Sequence, residues 1–310
     1  MSQRSRGTAT RLVGLLLCAL MAIPAAADET ATGEPVPDAR LSAPLTVPAS
    51  GEIKVAFLIS PGAEIVDFGG PWGVFEYAYV KVGGEMRNPF KLYTVAASRK
   101  PVMISGGMSI VPNYSFKNAP PPDLIVVPAL DLDRLAPAAL NWLKSAHRSS
   151  AVTMSVCNGS FVLGKAGLLE GRRATSHHGG YGLLRAMADT VTVVRGARYV
   201  EDGKIATSGG LTSGIDLALR VVERYFGREL ARETARRLEY QGTGWMYPDS
   251  NADYLQPSLA TSDEEAIDPV CEVAVPRSTS PRFDYKGKTY YFNCDWCKGF
   301  FTANPGRFAQ

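Results

Sequence analysis

Between Ala151 and Ser160 the chain reads AVTMSVCNGS, an apolar run that stops on Cys157 and is followed at once by Asn158 and Gly159. An uninterrupted apolar run of this length suits a strand buried on both faces, and Phe161, Leu163, Leu168 and Leu169 after it keep helical spacing. Cys157 therefore falls on a tight strand-to-helix turn, the arrangement that holds a nucleophile clear of its neighbours. Its sulfur is expected to face the free N–H groups and positive end of a helix dipole, which stabilise a thiolate. The alternative is a buried cysteine packing as a small hydrophobe.

The segments around this turn alternate in type. IKVAFLI from Ile53 is followed by a helix opened by Pro71, then by KLYTVAA, DLIVVP, a helix around Ala136 to Ala146, and AVTMSV. That order predicts an α/β fold with a mostly parallel sheet sandwiched by helices. TVTVVRGARYVEDGKIAT predicts short strands turning at Asp202-Gly203, and two amphipathic helices, Ser213 to Phe226 and Glu229 to Tyr240, follow with Gly227 as C-cap between them. Ligands of such sheets bind beyond the carboxyl ends of the strands. Asp67, Cys157 and the pair His177-His178 all fall there, so a carboxylate, a thiol and an imidazole are expected to converge.

The two ends have different compositions. Arg4, Arg6 and Arg11 precede an apolar run from Leu12 to Ile23 and the small residues Ala25-Ala26-Ala27, the layout of a secretory signal peptide over residues 1–27. The apolar run is too short for a permanent span. A periplasmic or secreted location follows as the expectation, with a Pro-, Ala- and Thr-rich flexible linker over 28–50. Removing the leader takes three arginines and no acid, which leaves 30 basic against 30 acidic residues. A neutral chain gives no footprint for nucleic acid or, once the leader is gone, for a membrane. Cys157, Cys271, Cys294 and Cys297 remain, in a compartment that favours oxidation.

VAFLISPGAEIVDFGGPWGVFE, DLIVVP, SVCNGSFVLGKAGLLEGRRATSHH and SGGLTSGIDLALRVVERYFG together resemble the ThiJ/PfpI superfamily, whose fold is like that of class I glutamine amidotransferases and flavodoxin. The resemblance runs from about Ile53 to Gln241, within a domain placed at 51–242. It is strongest to the branch holding isonitrile hydratases and the N-terminal domains of some transcription regulators, and no helix-turn-helix pattern follows here. The resemblance implies that Cys157 is the nucleophile, that Asp67 is the acid beside its thiol, and that His177, or else His178, is the histidine after the next strand. A carboxylate beside a thiolate is repelled, so the two persist together by sharing a proton, which Asp67 can then deliver as a general acid. Asn158 and Ala129 are expected to supply backbone donors for an oxyanion, although Ala129-Leu130 stands where the family usually has Gly-Gly and Asn158 where the hydratase-like branch usually has Thr. The large domain requires no cofactor on this reading.

After a polar linker at 243–266 the composition changes again. DPVCEVAVPRSTSPRFDYKGKTYYFNCDWCKGFFTANPGRFAQ resembles a YHS domain, a small α+β module over 267–310 related to metal-binding sequences. Its hairpin turns at Tyr285 to Lys288, and its last helix carries Cys297, Phe300 and Phe301. A first cysteine, Cys271, meeting the Cys294-Asp295-Trp296-Cys297 pair makes a soft-metal site. With no histidine after His178, three thiolates suit Cu(I) better than closed tetrahedral Zn unless Asp268, Asp295 or an external ligand completes the set. A structural disulfide among these cysteines is the competing arrangement.

Three functions stay open on the sequence. The first is a cysteine-dependent hydratase, lyase or hydrolase acting on a small electrophilic substrate. The second is a periplasmic protein binding copper or another thiophilic metal. The third is a redox or stress sensor in which Cys157 oxidises. A homodimer is the assembly carried forward as an expectation.

Overall fold

A computed structural model describes residues 42–255 and 261–309; the leader expected at 1–27 lies outside them. Seven strands form one sheet: β1 (Ile53–Leu58), β2 (Phe90–Ala96), β3 (Tyr114–Ser115), β4 (Leu124–Val127), β5 (Val152–Val156), β6 (Tyr199–Asp202) and β7 (Ile205–Ser208). Their order is β6-β7-β5-β4-β1-β2-β3. Every neighbouring pair is parallel except the β6-β7 hairpin at the edge. All four residues of β4 and all five of β5 are buried, as strands covered on both faces must be. Each fully buried Val, Leu or Ile there contributes roughly 1.5–3 kcal/mol.

Six helices accompany the sheet: α1 (Ile65–Glu76), α2 (Pro137–Ser149), α3 (Gly159–Lys165), α4 (Tyr181–Met187), α5 (Ser213–Phe226) and α6 (Arg228–Arg237). The first corrects the sequence expectation, because α1 starts at Ile65 and carries Pro71 in its interior. Its opening donors are met from outside, Ile65 N–H by Ser105 Oγ at 3.0 Å and Glu64 N–H by the Ala129 carbonyl at 3.0 Å. Pro71 has no N–H for the carbonyl one turn back, which belongs to Asp67. The helix tolerates it against α5: a Cβ on Gly70 would meet Ile215 Cγ1 at 2.8 Å, and one on Gly214 would lie 3.3 Å from Pro71. The last helix of the domain also differs, ending at Arg237 rather than Tyr240.

Both stretches read as linkers are partly docked. Leu45 N–H donates to the Arg224 carbonyl at 2.8 Å, while Arg220 and Arg224 reach the carbonyls of Ser42 and Ala43. The same arginines are held by buried Glu201. In the second linker Trp245 is buried and Asn251 bonds to Arg198. No helix among the described residues is long and apolar enough to cross a membrane.

The tail folds as two hairpins and two short helices: β8 (Glu265–Ile267) with β9 (Ala274–Pro276), β10 (Arg282–Tyr285) with β11 (Lys288–Tyr291), then α7 (Asp295–Ala303) and α8 (Pro305–Phe308). Its own core holds Val270, Cys271, Tyr290, Phe292, Cys297, Phe301 and Phe308, and Ala186 of α4 belongs to the same cluster.

Candidate active site and thiol cluster

The carboxyl ends of β1, β4, β5 and β7 point the same way, and the loops leaving them build the first site. Cys157 follows β5 with φ of 55°, a left-handed conformation that a non-glycine residue rarely adopts without a reason. Its N–H donates to the Gly209 carbonyl at 3.0 Å, and its own carbonyl accepts from Ser160 Oγ at 3.0 Å and Ser176 Oγ at 3.1 Å. A Cβ on Gly159 would lie 2.1 Å from the Val127 carbonyl oxygen, so the turn closes only because that residue is glycine. Strand, left-handed cysteine and close glycine form an elbow.

The electrostatics differ from the sequence expectation. Burial, followed by the nearby Asp67 carboxylate, pushes the Cys157 thiol up to about 12; the N–H groups of Asn158 and Leu211 pull the other way. Helix α3 has only seven residues, and its dipole does not outweigh desolvation here. Asp67 is fully buried, and burial raises its carboxyl to about 7, against the N–H groups of Ala129 and Leu211. Its Oδ2 accepts Ala129 N–H at 2.9 Å, whereas Oδ1 is buried with no partner among the described residues. Near neutral pH the thiol therefore keeps its proton while Asp67 sits near its midpoint, able to take one up or give one away.

The other expected site residues are less directly engaged. Ala129 directs its N–H to Asp67 and so is not the oxyanion donor expected of it. Asn158 keeps a backbone N–H toward the thiol, and its side-chain Oδ1 is buried without a partner. His177 accepts Gly179 N–H on Nδ1 at 3.2 Å, which leaves its proton on Nε2. Burial, and then His178, push His177 down to about 4, so the ring is neutral. Among the described residues no hydrogen bond joins it to Cys157 or Asp67. Its ring instead lies near Phe161 and His178, and His178 stacks on Tyr254 with centroids 6.4 Å apart. The residue missed by sequence reasoning is Leu211. Its N–H lies where it favours the charged forms of both Cys157 and Asp67, and it too has a positive φ, 45°. The run Ser208-Gly209-Gly210-Leu211 ahead of a helix was the available signal.

The second cluster lies in the tail. One ligand atom each from Asp268, Cys271 and Cys297 falls within 4.8 Å of the others, all three residues being buried. Cys294 Sγ lies 3.7 Å from Cys297 Sγ, and all four described cysteines are free thiols. Cys297 is held far above the ordinary thiol range by its hydrogen bond to Cys271, by burial and by Asp268. Asp268 also shapes the loop: Oδ1 accepts Val270 N–H at 2.7 Å and Cys271 N–H at 3.2 Å, and Oδ2 accepts Asn293 N–H at 2.7 Å. Asp295, the other carboxylate considered, stands in the first turn of α7 and outside this cluster. A cavity of about 450 Å³ opens beside this cluster, lined by Asp268 and Glu272 with Arg185, Arg277, Tyr290 and Tyr291, and no elbow residue lines it.

The large domain is thus an α/β protein with a cysteine elbow at the carboxyl edge of its sheet. Residues 53–224 match the DJ-1/PfpI family and residues 266–310 the YHS domain. The chain belongs to the DJ-1/PfpI family and carries a YHS domain after it. It is 31% identical over 194 residues to an isonitrile hydratase of Pseudomonas putida, a match covering 61% of this chain and 78% of the relative. An HTH-type transcriptional regulator of Pseudomonas aeruginosa is 27% identical over 58% of this chain, which spans about half of the regulator (53%). Among solved structures, a ThiJ/PfpI family protein from Pseudomonas syringae superposes with a TM-score of 0.54 at 28% identity, over 62% of this chain and 76% of that one.

Proposed function

We propose that the large domain is a cysteine-dependent hydratase acting on a small electrophile whose carbon is multiply bonded to nitrogen. The observation that carries this reading is the pairing at the elbow: Asp67, buried and held near 7, lies close enough to raise the Cys157 thiol. In the proposed reaction the sulfur bonds to the electrophilic carbon while the Cys157–Asp67 pair supplies the proton the substrate takes up. Water then adds to the same carbon, the carbon–sulfur bond breaks, and the proton released returns to the pair. The Asn158 and Leu211 N–H groups favour the sulfur's negative charge before and after addition. His177, neutral and bonded to Gly179, does not move the proton. The relative named as an isonitrile hydratase makes isonitriles the first compounds to test. Formation of an N-substituted formamide from an isonitrile by the fully reduced wild type, and its loss in Cys157→Ser, support the reading. No formamide from the reduced wild type overturns it.

For the tail we propose a site for a thiophilic cation. Its donor set fits one: Asp268, Cys271 and Cys297 converge in an apolar core with Cys294 Sγ 3.7 Å from Cys297 Sγ, and these groups cannot all ionise without a positive charge among them. Cys271, Cys294 and Cys297 would hold it, with Asp268 already bonded to three N–H groups and positioning the Cys271 loop. Cu(I) suits the sulfur-rich set best and Zn is the alternative. The proposed setting is the periplasm or the exterior, reached by cleavage after Ala27; the N-terminal mass of the mature protein tests that.

A further inference from the structure

The cation cluster and the cysteine elbow are joined by the surface on which the tail sits. Trp296, between Cys294 and Cys297, donates Nε1–H to Asp133 Oδ2 at 3.0 Å, and Lys165 Nζ lies 5.7 Å from its ring centre. Both partners belong to the elbow's own framework. Lys165 is the last residue of α3, the helix that starts two residues after Cys157. Asp133 ends a loop sewn to the approach to Asp67: Asp131 N–H donates to the Pro61 carbonyl, the Ala129 carbonyl accepts Glu64 N–H, and Ala129 N–H holds Asp67 itself.

Cys271 has a separate seat. A Cβ on Gly182 of α4 would lie 2.1 Å from the Val270 carbonyl oxygen and 3.0 Å from Cys271 Cα, so the cysteine loop rests on the helix backbone. Glu272, the next residue, is paired with Arg185 at 2.6 Å and with Arg195. Helix α4 begins immediately after the loop of His177 to Gly180, which closes on itself through Gly180 N–H and the His177 carbonyl at 2.8 Å. The sulfurs thus come from two segments, one seated beside the Asp67 loop and one on the helix of the His177 loop.

We propose that a thiophilic cation bound by Cys271, Cys294 and Cys297 is an effector of the Cys157 site, acting by clamping these two seats together. The inference rests on the cation reading of the tail. A cation bonded to sulfurs of both segments fixes the separation of the seats, adding to the link Asp268 makes by accepting Cys271 N–H and Asn293 N–H, and it favours the placement of the seats that suits its bonds. Its effect reaches Cys157 through Trp296, Asp133 and the Ala129 loop, and through α4 and the His177 loop. Couplings of this kind change a property of the second site by about fivefold or more.

The test uses the full reduced chain, with and without one equivalent of Cu(I), and follows alkylation of Cys157 by peptide mass spectrometry. Trp296→Phe and Asp133→Ala remove the hydrogen bond that seats the Cys294–Cys297 segment without touching a sulfur. The expected result is one bound Cu(I) in all three proteins, with the Cys157 rate changed at least about fivefold in the wild type and less than about twofold in both variants. Cu(I) binding to the wild type with an unchanged rate overturns this inference alone. A rate change that persists in both variants also overturns it, since a clamp needs both seats and these variants release one. No Cu(I) uptake by the wild type removes the cation reading first and this inference with it.

Discussion

Two groups of thiols share one chain, and they meet burial in opposite ways. Cys157 has Asp67, and more weakly Glu64, as acidic neighbours, and backbone N–H groups that favour its charge. The tail thiols have each other and Asp268, whose oxygens are already taken by three N–H groups. A lone thiol with donors and a proton partner is equipped to gain and lose charge by itself. A thiol cluster without donors is equipped to lose its protons only to a cation. Both groups are raised, so the direction of the shift does not separate them; what separates them is what relieves it.

The sharpest way to break this comparison is to remove one sulfur from each side. Cys157→Ser is expected to bring isonitrile hydration and Cys157 labelling to background while Cu(I) uptake stays at one equivalent. Cys271→Ser is expected to do the reverse, abolishing uptake and leaving measurable hydration. Inductively coupled plasma analysis beside a turnover assay reads both. If either variant loses both properties while keeping its circular dichroism spectrum, the two groups form one site.

The next largest effect is a pH dependence belonging to the elbow alone. Asp67 is raised from 3.8 to about 7, so between these values the folded chain keeps a proton that the unfolded chain has released. Its contribution to stability is complete below about pH 4 and is lost as pH rises through 7, by ~4 kcal/mol on linkage. Asp67→Asn removes that loss, so urea unfolding from pH 4 to pH 8 is expected to show a flatter profile than the wild type. Identical profiles would show that Asp67 is not the buried acid of the pair.

Two glycines sharpen the comparison sterically. Gly159 and Gly182 each place a would-be Cβ 2.1 Å from a carbonyl oxygen, the first of Val127 inside the elbow and the second of Val270 across the seat of the tail. Gly159→Ala is expected to strain the sheet edge and cost roughly 1–3 kcal/mol of global stability. Gly182→Ala has another way out, because the tail can lift from α4. It is expected to expose the tail to limited proteolysis with a smaller change in the main unfolding transition. Equal losses would mean that the tail is as fixed to α4 as Gly159 is to β4.

How much of this was legible in the sequence follows from the same contrast. The elbow was legible because a buried parallel strand, a cysteine and a glycine in succession leave few conformations for Cys157. The two-module order was legible because composition changes after Gly242. The start of α1 was not, because Pro71 reads as a helix opener and only Ser105 and Ala129, distant in sequence, satisfy the turn before it. Ala129 and Leu211 were not legible as hydrogen-bond donors, since any residue carries an N–H and only the fold aims it. Nor was the docking of Ser42 to Leu45, whose composition suggests a tether and whose partners are the buried Arg220 and Arg224. The direction of the Cys157 shift failed for a related reason: a helix dipole can be inferred locally, but burial is a property of everything packed around it.

The smallest expected effect tests whether the elbow, unlike the tail, holds polar groups in reserve for substrate. Asn158 Oδ1 is buried with no partner, whereas both oxygens of Asp268 are satisfied. An unpaired buried acceptor costs stability, so Asn158→Ala is expected to leave the protein as stable or more stable by up to about 1 kcal/mol. The same change is expected to raise KM for the isonitrile several-fold, because the amide is then missing where substrate would use it. Stability and binding move in opposite directions only if Asn158 is kept for a ligand. A variant that loses stability and leaves KM unchanged would make Asn158 part of the packing, and the elbow would then resemble the tail in having every polar group committed to the fold.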